Sequence, residues 1–158
     1  MSRVALVTGA AKGIGRAICE RLSRAGYQVA GLDHDLRARG EMGDDLAIAL
    51  IHADVADYDA CATAVAEVER DIGPVDTLVN NAGIVRDAML HKMEPKAWRD
   101  VIEVDLTGLF NMTRNIVPGM RNRGFGRIVN ISSVNALKGQ AGQTNYAAAK
   151  AGVIGFTK

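Results

Sequence analysis

Cysteine, histidine and proline are scarce in this chain of 158 residues, with two, three and three copies. Cys19 and Cys61 stand far apart and alone. That excludes a disulfide framework and any closely spaced cysteine pair for metal or redox work, so both read as reduced thiols. His34, His52 and His91 are equally scattered and offer no metal-ligand spacing. Excess charge is missing too: the net value is +1. Neither nucleic acid nor an anionic membrane is indicated as the main partner. No apolar run is long enough to span a bilayer. Met1-Ser2-Arg3 leads straight into a strand-like run, leaving no room for a signal peptide, so a cytoplasmic location is expected.

What is present is an ordinary globular composition, 48% apolar and 23% charged. The length suits one domain with one sizeable core. Arg3–Thr8 reads as a buried strand, and Gly13–Ala25 as a helix ended by Gly26. Tyr27–Asp33 and Leu46–His52 read as further strands. Asp57 caps a helix whose apolar side is Cys61, Val65, Val68 and Ile72, stopped by Gly73-Pro74. Val75–Asn80 is a fourth strand. Pro95 opens a long helix expected to reach about Pro118. Gly126–Ile131 is a fifth strand, and another helix starts at Gln143. Strand and helix alternate throughout, which implies an α/β fold with a doubly wound parallel sheet. No repeat, low-complexity tract or linker interrupts it. The most polar stretch, Arg37–Asp45, is expected at the surface.

Gly9, Gly13 and Gly15 follow the first strand and open the first helix. Glycine there permits a sharp turn and close backbone approach to a pyrophosphate, and the helix N-terminus offers free N–H groups and a positive dipole end. An ordinary strand-to-helix turn is the alternative. Asp33 ends the second strand, 33 − 15 = 18 residues after the last glycine. An acid at about that distance accepts from an adenosine ribose and repels a 2′-phosphate, favouring NAD over NADP. Lys12, Arg37 and Arg39 argue the other way, since a cation there holds a 2′-phosphate. Asp33 also reads as a loop acid capping the next turn.

At these residues the chain resembles the short-chain dehydrogenase/reductase family. Thr8-Gly9-Ala10-Ala11-Lys12-Gly13-Ile14-Gly15 is similar to the family's cofactor motif. Asn80-Asn81-Ala82-Gly83 is similar to its motif after the fourth strand, and Ser133 with Tyr146-Ala147-Ala148-Ala149-Lys150 to its catalytic set. The resemblance covers essentially the whole chain and implies a single Rossmann-like, NAD(P)-binding domain over residues 1–158. It also implies that Asp54 and Val55 lie along the adenine and that Asn81, Ala82 and Gly83 flank the cofactor. Asn81–Asp87, Lys92-Met93, Ser132–Asn135, Lys138–Gln140 and Gly142–Tyr146 look most like bacterial reductases of 3-oxoacyl thioesters, with acetoacetyl-CoA favoured. A carrier-protein thioester, another secondary alcohol, or a non-catalytic cofactor-binding role are the alternatives.

Ketone reduction needs a hydride on carbon and a proton on oxygen. A free tyrosine, with a pKa near ~10, is poorly matched to neutral pH. A lysine one helical turn away shares its face and stabilises the phenolate. Tyr146 is therefore assigned as general acid and Lys150 as its electrostatic partner, which the resemblance also places on the nicotinamide ribose. Ser133 is expected to orient the substrate oxygen. Gln140 and Gln143, in the loop before Tyr146, are expected to contact the thioester unless they are ordinary loop polarity. Asp105 is the anomaly. It falls on the apolar stripe of Trp98, Val101, Ile102, Leu106, Leu109 and Phe110, where a carboxylate is expensive unless paired. The family usually carries asparagine there, supporting a water relay to the lysine. Asp105 is expected to keep that role with a direct attraction to Lys150, or else to bond nearby backbone. Arg121, Arg123 and Arg127 either attract a phosphorylated carrier or form a solvated helix end.

The fifth strand is followed only by a helix running to Lys158, whereas the resemblance implies a further strand, a nicotinamide-side loop and a substrate lid. The chain is thus expected to be an N-terminal fragment missing its last strand, with Val153, Ile154 and Phe156 partly bare. The resemblance further implies a homotetramer. Its dimer face would use the long helix from Pro95 and the helix from Gln143, where Ala147, Ala148, Ala149 and Ala151 suit close packing.

Overall fold

The apolar runs become strands because each is short, β-rich and closed by a polar or glycine-bearing turn. The structure is a computed structural model describing residues 2–37 and 48–158. Its elements are β1 (Val4–Thr8), α1 (Gly13–Arg24), β2 (Gln28–Asp33), β3 (Ile48–His52), α2 (Tyr58–Asp71) and β4 (Val75–Asn80). After a short 3-10 turn at Leu90–Lys92 come α3 (Pro95–Ile102), a π-helical turn (Glu103–Thr107) and α4 (Gly108–Arg123). β5 (Arg127–Asn130), α5 (Asn135–Lys138) and α6 (Thr144–Thr157) complete them. Leu46, Arg39 and most of the polar stretch to Asp45 lie outside the described residues.

The strands pair in the order β3-β2-β1-β4-β5, and every pairing is parallel. The chain first winds outward from β1 to β3, then returns to the other side of β1 with β4. The order therefore reverses between β1 and β4, where a doubly wound sheet opens a crevice at its carboxyl ends. This is the expected architecture, with five strands among the described residues. Both faces of β1 are buried: Val4 to Thr8 are each at most 3% exposed. Leu6 and Leu78 face a core shared with Val68 of α2 and Met112 and Ile116 of α4. Val7 and Val79 face the opposite side, with Cys19 of α1. Burial pushes the Cys19 thiol up to about 12 and Cys61 to about 11. Both stay protonated at neutral pH and act as small core hydrophobes.

Four features depart from the sequence reading. The long helix is broken by the π turn, and that turn carries Asp105. α4 runs through Pro118 to Arg123 and ends at Gly124, which has a left-handed φ of 66°. Pro118 removes only the donor to the carbonyl of Arg114, and Arg114 is solvent-exposed, so water can take its place. The apolar stripe is only partly covered: Val101 and Leu109 are buried, while Trp98 and Phe110 are exposed. Val153, expected partly bare, is 1% exposed, whereas Phe156 is open as expected.

Candidate functional site

The turn from β1 into α1 is shaped by contacts that leave no room for a side chain. A Cβ on Gly15 would lie 2.0 Å from the carbonyl oxygen of Gly9 and 2.6 Å from Asn81 Nδ2. One on Gly9, whose φ is +65°, would meet Ala82 Cα at 2.9 Å. The glycines thus let the segment after β4 press on the loop after β1. Polar bonds lock that contact. Asn81 Nδ2 donates to the carbonyls of Thr8 (2.9 Å) and Gly9 (3.2 Å). The amides of Asn81 and Ala82 both donate to Thr8 Oγ1 at 3.0 Å.

Beside this junction lies a cleft of about 640 Å³. Its lining includes Gly9, Lys12, Ile14 and Gly15 from the first loop, Asp33 from the end of β2, Asp54 and Val55 from just beyond β3, and Asn81, Ala82 and Gly83 from the segment after β4. Of the loop and strand-end residues expected to hold a cofactor, Ala11 and Gly13 do not line the cleft. Gly13 is at the exposed start of α1. Ala11 is buried, and its amide donates to Asp33 Oδ2 at 2.9 Å, tying the glycine loop to the end of β2. Asp33 Oδ1 accepts from the amide of Asp35 at 3.0 Å and lies 3.3 Å from His34 Nδ1. Asp33 therefore braces a turn, and it also lines the cleft. Arg37 is bonded to Asp35 through Nε (2.7 Å) and Nη2 (2.5 Å), which engages two of its guanidinium nitrogens.

Tyr146 and Lys150 lie on α6, with Lys150 Nζ 5.6 Å from the tyrosine ring centre. Lys150 is only 4% exposed. Its Nζ donates to the carbonyl of Ile131 at 3.1 Å and lies 3.3 Å from Asp105 Oδ2. Ser132 Oγ donates to the carbonyl of Lys150 at 2.8 Å, so the end of β5 grips α6 from the same side. Asp105 Oδ1 accepts from the amide of Ile84 at 2.8 Å. Both expected partners of Asp105, lysine and backbone, are present at once. Burial pushes the Asp105 carboxyl above its ordinary range, and the Lys150 charge and the Ile84 amide oppose that rise. The contact with Lys150 is a charge pairing rather than an aligned hydrogen bond, since Asp105 Oδ2 has no hydrogen-bond partner.

Ser133 follows β5, and its Oγ accepts from the amide of Asn135 at 3.2 Å. Asn135 Nδ2 donates to Gln143 Oε1 at 2.8 Å, and Gln143 Nε2 donates to both oxygens of Asp87 at 3.1 Å. Gln143, expected to face the thioester, thus has its amide engaged at both ends and braces three loops around the site. Gln140 is exposed at the tip of the loop between α5 and α6. Asn145 had no assigned role in the sequence beyond its place in Gly142–Tyr146. It is fully buried, donates to the carbonyls of Arg86 (3.0 Å) and Ala97 (3.1 Å), and accepts from the amide of Tyr146 (2.8 Å). Its only sequence signal was adjacency to the tyrosine. Among the described residues no three His, Cys, Asp or Glu side chains gather as metal ligands, and no helix is long and apolar enough to cross a membrane.

A glycine-shaped turn, an acid at the end of β2 and a Tyr-Lys pair on one helix form a site suited to nucleotide binding and proton transfer. The profile of the family described as short chain dehydrogenase matches residues 3–158. The chain is 58% identical over 160 residues to an acetoacetyl-CoA reductase of Rhizobium meliloti (strain 1021), covering 100% of this chain and 66% of that protein. It is 48% identical over 163 residues to the acetoacetyl-CoA reductase of Cupriavidus necator, covering 98% of this chain and 65% of the relative. A 3-oxoacyl-acyl-carrier-protein reductase of Vibrio harveyi is 43% identical over 99% of this chain and 65% of its own length. The chain spans about two thirds of the length of these relatives. It belongs to the short-chain dehydrogenase family, which implies a nicotinamide cofactor.

Proposed function

We propose that the natural protein carrying this chain reduces a 3-oxoacyl thioester, with acetoacetyl-CoA favoured, to the 3-hydroxyacyl thioester. The observation that carries this reading is the convergence of Tyr146, Lys150 and Asp105 beside a cleft lined by the glycine loop and the Asn81–Gly83 segment. The names of the relatives supply the substrate class. A nicotinamide dinucleotide would find in this cleft of about 640 Å³ a glycine-bearing lining for its pyrophosphate and the Asp33 carboxylate for its ribose. Gly9, Ala11, Lys12, Gly13, Ile14 and Gly15 would hold the pyrophosphate side, Ala11 through the backbone that its bond to Asp33 fixes. Asp54 and Val55 would flank the adenine, and Asn81, Ala82 and Gly83 the nicotinamide side. When bound, the cofactor supplies hydride.

The chain's own residues supply the rest. Ser133 receives the ketone oxygen and orients it. Tyr146 delivers the proton to that oxygen, and Lys150 stabilises the charge left on the phenolate. Asn135, Gln143 and Asp87 brace the loops that carry Ser133 and Tyr146. Gln140 remains a candidate thioester contact. Asp33 favours NAD(H) over NADP(H), since a 2′-phosphate would meet its carboxylate and Arg37 is already paired. The same reading places the protein in the cytoplasm as a homotetramer. Exposed Phe110 and Phe156, beside a groove shared by α4 and α6, support an assembly face there.

The test is steady-state turnover by the natural protein. Acetoacetyl-CoA and acetoacetyl-carrier protein are each offered with NADH and with NADPH. The reading expects the highest kcat/KM for acetoacetyl-CoA with NADH. A clear preference for the carrier-protein thioester would move the assignment to fatty-acid synthesis. Tight nucleotide binding with no turnover on either would replace it with a cofactor-binding role.

A further inference from the structure

Two residues that line the cleft, Asp54 and Val55, lie past the end of the strand that leads to them. β3 stops at His52, and its pairing with β2 stops there too, opposite Asp33. One more backbone bond, from the Ala53 amide to the Asp33 carbonyl (3.1 Å), carries the alignment a residue further. Beyond it the sheet ladder no longer fixes the peptide planes, so other contacts do.

Asp54 is held by its own turn. Its Oδ1 accepts from the Ala56 amide (2.9 Å) and its carbonyl accepts from the Asp57 amide (3.1 Å). Val55 is held from a different element. Its carbonyl accepts from Asn111 Nδ2 at 2.8 Å, across 56 residues of sequence. Asn111 lies on α4 and is 3% exposed. A carboxamide in that interior is costly unless its N–H finds an acceptor, and the Val55 carbonyl is that acceptor. The other donor to this carbonyl is the Cys61 thiol at 3.5 Å, a weak one. Without Asn111, the stronger replacement partner is water in the open cleft, and reaching it would roll the Val55 peptide into the space where a base lies.

The start of α4 holds the same residue from another side. A Cβ on Gly108 would lie 2.8 Å from Val55 Cγ2, 2.9 Å from its Cβ and 3.2 Å from its carbonyl oxygen. Gly108 has ordinary helical torsions, φ −57° and ψ −37°, so the backbone does not call for glycine. Glycine in a helix costs stability relative to alanine. What the missing side chain provides is room for Val55, whose branched side chain has few rotamers to retreat into.

We propose that Asn111 and Gly108 are positioning residues for the adenine half of the dinucleotide. Asn111 keeps the Val55 carbonyl turned into the core, and Gly108 lets the Val55 side chain settle against α4, which keeps that end of the cleft open. Both act through Val55 and neither touches the nucleotide. The inference rests on the cofactor reading of the cleft and is independent of which thioester is reduced.

The test uses two variants of the natural protein. Asn111→Leu keeps a branched side chain and removes the donor. Gly108→Ala keeps the donor, favours the helix and crowds Val55. NADH is titrated by fluorescence, then displaced by AMP, which carries the adenine half, and by nicotinamide mononucleotide, which carries the other. Each variant should bind AMP about tenfold more weakly, while the mononucleotide stays within about twofold of the parent. Should Asn111→Leu fail to fold, Gly108→Ala decides, since its own helix gains from alanine. AMP affinity within about twofold of the parent overturns the proposal, and so do equal losses for AMP and the mononucleotide, which would mean general damage to the fold. A parent that binds neither NADH nor AMP overturns the cofactor reading and this inference with it. A parent that binds both, with variants that do the same, overturns this inference alone.

Discussion

Replacing Gly15 with alanine should damage the protein far more than the same change at Gly13, two residues earlier in the same turn. At Gly15 the new methyl would stand 2.0 Å from the Gly9 oxygen, 2.6 Å from Asn81 Nδ2 and 2.7 Å from the Gly9 carbon. Two of those atoms are backbone and cannot rotate away. Relief requires the β1–α1 turn to move by more than an ångström, which also strains the bonds from Asn81 to Thr8 and Gly9. Overpacking costs about 1–3 kcal/mol, and two weakened hydrogen bonds add about 1 kcal/mol each, for a total of roughly 3–5 kcal/mol. At Gly13 nothing lies within 4 Å, and only the left-handed φ of +56° opposes alanine. That conformation costs about 1–2 kcal/mol. In a protein of this size each kcal/mol lowers Tm by about 2–4 °C. Gly15→Ala should therefore melt about 10 °C below the parent and Gly13→Ala about 4 °C below it. Thermal unfolding of the natural protein checks this, and a fluorescence titration with NADH should show at least a tenfold loss of affinity for Gly15→Ala. Equal Tm values for the two variants would refute the claim that the Gly9–Asn81 junction forbids a side chain.

Tyr146→Phe should lower kcat by about 10²–10⁴-fold while leaving Tm and nucleotide affinity unchanged, and retained turnover would remove Tyr146 as the acid. Asp33→Ala should shift the ratio of kcat/KM for NADH over NADPH toward NADPH. It should also destabilise the fold, since Ala11 and Asp35 lose a charged acceptor; an unmoved ratio would mean Asp33 only braces the loop. Asn145→Ala removes the bonds to the carbonyls of Arg86 and Ala97 and from the Tyr146 amide, all made by a fully buried side chain, so denaturant unfolding should report a loss of roughly 2–4 kcal/mol. A loss below ~0.5 kcal/mol would mean the three bonds are not maintained in solution.

The frame was legible because its signals are local. Apolar runs bounded by glycine, proline or aspartate placed β1, β2 and β4 within a residue of their ends, and Asp57 does cap α2, accepting from the amides of Asp59 and Ala60. The glycine turn was legible for the same reason: one short segment carries the turn, the helix start and the close approach. What ties the distant segments of the site together is not local. Asn80 reaches Asn130 across 50 residues, Asn81 reaches Thr8 across 73, and Asn145 reaches Arg86 across 59. No periodicity marks such residues, since a buried asparagine looks in sequence like any surface one. Asp105 was visible for the opposite reason. A charge on an apolar stripe contradicts its surroundings, and a contradiction of that kind predicts a partner without naming where the backbone puts it. The structure answers with a π turn, which resets the helix at that point and sets the carboxylate between Ile84 and Lys150. The departure from regular helix and the departure from expected polarity are therefore one feature. It bears directly on Lys150, which this carboxylate pairs with and which is proposed to tune Tyr146.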